Sequence, residues 1–219
     1  MQYICLALYF GVSAVHLIFS WKDDPKIRAM TKPFLLFFLL IYYLLAASSI
    51  RIVTVIALFT SWIGDLLLIH KGHAWFTAGG ISFLISHLFF IFSYVDSVVI
   101  NSHYLIIPFI ALGYFAVGFL IMKSVKNNTP RQMVIPMFLY LVTNSTMNVF
   151  AMMQLLSRKN IGALVAYCGA FLFFISDCTL FLVRYHKNRN IVPKKHFGVM
   201  LTYLLGEFLI VQGLILIAK

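Results

Sequence analysis

Apolar residues run along this chain in long blocks, broken by short connectors rich in Lys, Arg, Asn and His. Crossing the hydrocarbon core of a bilayer takes roughly 20 apolar residues in a helix, with roughly 17 to 25 acceptable. That ruler marks eight segments: Tyr3–Ser20, Pro33–Ser49, Ile52–Ile69, Trp75–Tyr94, Tyr104–Met122, Met133–Leu156, Ile161–Val183 and Phe197–Ala218. The narrowest separation is Ala47–Arg51, where the chain must turn within a few residues. The competing arrangement there is a single long bent helix, and seven spans. The pattern predicts an all-α, polytopic transmembrane helix bundle of about eight spans, with residues 1–219 forming one integral membrane domain.

Composition strengthens this reading. Hydrophobic residues make up 62% of the 219 and charged residues only 11%. A soluble domain of this length could not hide so much apolar surface, whereas a bilayer solvates it. Met1–Ser20 lacks the basic start and small-residue cleavage site of a signal peptide, and the chain stays apolar after it. Cys5, Cys168 and Cys178 fall inside apolar segments, so neither a disulfide framework nor a C-x-x-C pair is expected.

The net charge of +11 would suit a nucleic-acid binder, but its distribution argues against one. Every Lys and Arg sits in or beside a connector. That pattern marks membrane topology and anionic headgroups, so the expected partners are membrane lipids. The connectors after spans one, three, five and seven hold thirteen of the 17 basic residues. Among them are Lys32, Lys71, Lys123, Arg184 and Arg189. Arg51, Arg158, Lys159 and Lys219 lie on the other face. The positive-inside rule then places both termini outside the cytoplasm.

A short internal repeat adds to this. Ile63-Gly64-Asp65-Leu66-Leu67-Leu68 in span three resembles Ile175-Ser176-Asp177-Cys178-Thr179-Leu180 in span seven. Spans three and seven are four apart, as two fused four-helix halves in the same orientation require.

Chemistry narrows to few residues. Of six acidic residues, Asp23, Asp24 and Asp96 fall in connectors or at a span edge, while Asp65, Asp177 and Glu207 lie inside spans that hold no Lys or Arg. An ionisable residue at a helix centre costs roughly 2.5–3.5 kcal/mol on insertion scales and normally faces a cavity or a polar partner. A buried carboxyl without a cation favours its neutral acid form, which suits a general acid. Asp65 precedes Lys71 by six residues and Asp177 precedes Arg184 by seven. At 1.5 Å per residue both carboxyls are expected ~10 Å inside the same boundary. The plainer alternative is that each one only bonds helices together.

Tyr140, Asn144 and Asn148 form an i, i+4, i+8 stripe that must face protein or a cavity. Interhelical bonding is the simpler role for at least one of them. His87 lies mid-span near Ser82 and Ser86, and Glu207 is deeper in its span than the aspartates in theirs. His70, His73, His103, His186 and His196 fall at boundaries. No H-E-x-x-H pattern or zinc set is present, and neither metal nor cofactor is expected. Gly79, Gly80, Gly162 and Gly169 are expected to allow close helix approach.

These residues carry a resemblance. Ser61-Trp62-Ile63-Gly64-Asp65-Leu66-Leu67-Leu68, followed by Gly79, Phe83 and His87, resembles the lysoplasmalogenase family of multi-pass membrane proteins, the YhhN-like group. So do Phe174-Ile175-Ser176-Asp177-Cys178-Thr179-Leu180 leading into Arg184-Tyr185, Thr31-Lys32-Pro33, and Tyr203. The family tends to have glutamine where this chain has Glu207. The resemblance implies hydrolysis of the vinyl ether of a lysophospholipid, lysoplasmalogen, to a fatty aldehyde and a glycerophospho-base. Such a reaction needs a general acid and a carboxylate to steady the cation, the division of labour found in glycosidases. Asp65 and Asp177 are the expected catalytic pair. His87, Tyr140, Asn144, Asn148, Tyr203 and Glu207 are expected around the substrate, with Lys71 and Arg184 on its phosphate.

Two other classes compete. A proton-coupled transporter or lipid carrier also uses buried carboxylates, but no paired Gly/Pro helix breaks stand out. An intramembrane metal hydrolase needs several histidines at one depth, which His87 and His16 do not supply.

Overall fold

The computed structural model describes residues 1–96, 98, 105–188 and 190–218. His103, Tyr104, Arg189 and Lys219, used in the reading above, lie outside the described residues. Among the described residues the chain forms eight α-helices and no strands: α1 (Gln2–Trp21), α2 (Pro25–Ala46), α3 (Ile52–Leu67), α4 (His73–Val95), α5 (Ile107–Val125), α6 (Arg131–Arg158), α7 (Ile161–Tyr185) and α8 (Lys195–Ile217). Seven of them are long and apolar enough to cross a membrane. The exception is α3, apolar but only 16 residues long.

No long bent helix joins the second and third segments. Helix α2 closes at Ala47 in extended conformation, and Arg51, also extended, begins α3. That turn is held by side chains. The Arg51 amide donates to the Tyr43 hydroxyl at 3.1 Å, and the Arg51 guanidinium reaches the Ser93 carbonyl (2.8 Å) and the Asp96 carboxylate.

The start of α2 differs from the sequence expectation, which opened this span at Pro33. Asp24 caps the helix eight residues earlier, its side chain accepting from the amides of Lys26 (2.9 Å) and Ile27 (3.2 Å), with Pro25 in the first turn. An Asp-Pro pair is a strong helix start, because the carboxylate satisfies free amides and proline has no amide to satisfy. Hydropathy missed it because three cations, Lys26, Arg28 and Lys32, fall within residues 25–32. In consequence Lys32 belongs to a helix that enters the bundle, and the spans are not free of cations.

Helices α7 and α8 pack with backbones nearly touching. A Cβ on Gly169 would lie 2.5 Å from the Ile210 amide nitrogen, and one on Gly213 would lie 2.4 Å from that of Ala166. Gly162 and Gly206 are similarly tight. Without Cβ atoms the two helices approach closely, and dispersion between backbones holds them where lipid offers no hydrophobic drive. Gly79 packs the same way on Leu68 and Gly64. Gly80 does not: a Cβ there meets nothing within 4 Å, so it is not a packing glycine.

Candidate active site

A cavity of about 690 Å³ opens among α2, α3, α4, α6, α7 and α8, and both Asp65 and Asp177 line it. The mouth is basic: Arg28, Lys71, Arg184 and Lys195 line it together with His70 and His196. Other walls are apolar, supplied by residues such as Phe83, Leu84, Met137 and Phe181.

Asp65 sits in the last turn of α3 and is 1% exposed. Lys32 Nζ lies 3.1 Å from its Oδ1, and the Tyr203 hydroxyl donates to its Oδ2 at 2.8 Å. Thus the expectation of a carboxyl without a nearby cation fails for Asp65. The equal-depth estimate also rested on a helix continuing to Lys71, whereas α3 ends at Leu67 and residues 68–72 turn. Asp177, by contrast, is followed by eight further residues of α7.

Asp177 has a different set of partners. Its Oδ2 accepts from the Tyr140 hydroxyl (2.8 Å) and the Asn144 amide (2.7 Å), and His87 Nε2 lies 3.3 Å away. His87 is fully buried, and its Nδ1 is 2.5 Å from the Phe83 carbonyl oxygen. A carbonyl only accepts, so Nδ1 carries a hydrogen. In a neutral ring Nε2 would then present a lone pair to a carboxylate oxygen. The 3.3 Å contact becomes an ion pair only when the ring carries both hydrogens.

The two sites are equivalent in topology. Asp65 on α3 is met from the preceding helix α2 and from α8, the closing helix of the other half. Asp177 on α7 is met from the preceding helix α6 and from α4, the closing helix of the first half. This is the arrangement that a four-plus-four repeat generates. The packing beside each aspartate corresponds too. The Phe83 ring of α4 covers Gly64, while the Ser176 hydroxyl donates to the Val199 carbonyl of α8 at 2.9 Å.

Of the other residues singled out from sequence, Tyr140, Tyr203, Lys71 and Arg184 line the cavity, with the Arg184 guanidinium 3.8 Å over the Phe76 ring. His87 and Asn144 stand behind Asp177 rather than on the cavity wall. Asn148 is one turn further on, its amide donating to the Asn144 carbonyl (3.0 Å) and side-chain oxygen (3.2 Å). Glu207 lies one turn beyond Tyr203 and is fully buried. Sequence reasoning missed Lys32 and Arg28 as site residues. The available signal was the Asp24-Pro25 cap, which puts both on α2. Among the described residues no group of three His, Cys, Asp or Glu converges to hold a metal ion.

Fold and site together define an integral membrane helix bundle with a carboxylate-lined cavity beneath a basic mouth. The chain belongs to the YhhN family, the family that contains lysoplasmalogenases; its profile matches residues 27–214. No curated protein and no solved structure matches the chain.

Proposed function

We propose that this protein is a membrane hydrolase that cleaves the vinyl ether bond of lysoplasmalogen, releasing a fatty aldehyde and a glycerophospho-base. The observation that carries the reading is that two buried carboxyls with unlike partners share one cavity beneath a cationic mouth. Separating the environments of paired carboxyls is how a site obtains one acid and one base.

In this reading Asp177, sharing its proton with His87, is the acid. It protonates the vinyl carbon remote from the ether oxygen; the π electrons form the new C–H bond and the oxygen lone pair makes an oxocarbenium ion. Asp65, held by Lys32 and Tyr203, is the carboxylate. It takes a proton from water as the water oxygen bonds to the cationic carbon, giving a hemiacetal. Collapse breaks the bond to the glycerol oxygen, which receives the proton from Asp65. The hemiacetal hydroxyl proton returns to Asp177, and both carboxyls are reset. Lys71 and Arg184 at the mouth suit the substrate phosphate. In this reading the mouth faces the cytoplasm and both termini lie outside it, an orientation that the basic connectors support.

Purified protein in nanodiscs, given lysoplasmalogen, is expected to release fatty aldehyde, and Asp177→Asn is expected not to. Equal release by the variant would end this assignment. The carrier reading draws on one observation, the fully buried carboxyl of Glu207 in the bundle core. It is favoured if liposomes take up intact lysolipid while no aldehyde forms.

A further inference from the structure

The cavity has a second side, apart from its basic mouth. Helices α4 and α6 meet at the level where the His87 and Tyr140 rings lie 5.1 Å apart. Nearer the mouth, the cavity walls include Gly80 and Ile81 of α4 and Pro136 and Leu139 of α6. Ile81 is 51% exposed and Leu139 is 50% exposed, although both line the cavity. In a membrane span, surface of this kind faces lipid. The open space next to Gly80 agrees, because a glycine packed between helices would show close neighbours, as Gly79 does.

We infer that the gap between the first halves of α4 and α6 is a lateral portal, and that the bound alkyl chain of a single-chain phospholipid threads through it into the bilayer. The inference rests on the proposed reading of the site. Its occupant is fixed by charge and polarity: cations at the aqueous mouth take the phosphate, Asp177 beside Tyr140 faces the first carbons of the chain, and the apolar gap takes the rest. A chain leaving sideways keeps its remote carbons in lipid, so the pocket need enclose only the headgroup and the reacting end. The released aldehyde returns to the bilayer by the same gap.

Pro136 favours an opening here. It lies within α6 and has no amide hydrogen, so one helix hydrogen bond is absent on the portal wall. Lipid-side openings tolerate such a loss when cavity water or a polar neighbour satisfies the freed carbonyl.

The test uses binding of non-hydrolysable saturated ether lysophosphocholines to protein in nanodiscs. One probe has a hexadecyl chain long enough to leave by the gap, and one has a hexyl chain that ends inside the cavity. Gly80→Phe, whose ring fills the gap, should weaken hexadecyl binding about tenfold or more while hexyl binding changes by less than about twofold. Gly80→Ala should bind both probes as the natural chain does. Ile81→Trp, a substitution on the lipid-exposed side, provides a second plug if Gly80→Phe proves unstable; a thermal melt of each variant checks folding. Unchanged hexadecyl binding in folded plugged variants, or equal loss of both probes, overturns the portal. A natural chain that binds the hexadecyl probe yet releases no aldehyde from lysoplasmalogen overturns the hydrolase reading and leaves the portal standing.

Discussion

Lys32 and Asp65 form a buried ion pair, Nζ to Oδ1 3.1 Å, joining α2 to the last turn of α3. Only 14% of the lysine side chain and 2% of the aspartate side chain are exposed. Two charges withdrawn from water remain stable together only when each satisfies the other and further hydrogen bonds complete the set, as Tyr203 does here. The pair fixes the end of the short third helix and settles how the Asp65 carboxylate is presented to the cavity.

Removing one partner should be worse than removing both. Lys32→Met leaves Asp65 without its counter-charge and should destabilise the protein by about 3–5 kcal/mol. Adding Asp65→Asn should restore much of that loss. Unfolding of the two single variants and the double variant in one detergent measures the coupling, and simple additivity would contradict a buried ion pair.

Asp177→Asn and Asp65→Asn should each lower aldehyde release by about 10²–10⁴-fold, the usual contribution of a positioned acid or base. Asparagine keeps the shape and still accepts from Tyr140 or Tyr203. Asp177→Asn should therefore stay folded, whereas Asp65→Asn, which leaves Lys32 without its counter-charge, should melt lower, so its activity is read per folded protein by size exclusion and thermal melts.

In the proposed reading His87 acts through Asp177, and it does not line the cavity, so its removal should separate rate from binding. His87→Phe should reduce kcat by about 10²-fold and leave KM within about twofold. A matched rise in KM would mean that the imidazole only props the pocket open. Repeating the comparison across pH adds a second readout: a change in the pH profile of kcat is expected only if His87 shares the catalytic proton.

Gly206→Leu and Gly213→Leu should split α7 from α8. A Cβ alone would stand 2.9 Å from the Phe173 nitrogen in the first case and 2.4 Å from the Ala166 nitrogen in the second. Backbone cannot swing away as a side chain can, so a loss of at least about 1–3 kcal/mol is expected for each. Gly80→Ala, with open space at its Cβ, should melt with the natural protein or above it, since alanine is the better helix former.

Much of this was legible in the chain itself. Blocks of apolar residues had to become membrane helices, because lipid leaves backbone groups no other partners. Two aspartates in matching hexamers, inside such blocks, were too costly to face lipid, and both do face the cavity. The Tyr140, Asn144 and Asn148 stripe had to turn inward at helical spacing, and its first two members reach Asp177.

What the chain alone did not decide was which groups meet. Helical periodicity fixes the face on which a residue lies and says nothing of the neighbour it will find. Lys32 looked like a connector charge until capping by Asp24 extended α2 past it, and only the packing of α2 on α3 brought it to Asp65. His87 was expected around the substrate, and the approach of α4 to α6 and α7 instead put it behind Asp177, 3.3 Å from the carboxylate. Sequence determined the class of molecule, its helices and its costly residues, since those follow from local transfer energies. Tertiary structure decided the pairings, because a contact 33 or 138 residues apart is set by how helices cross.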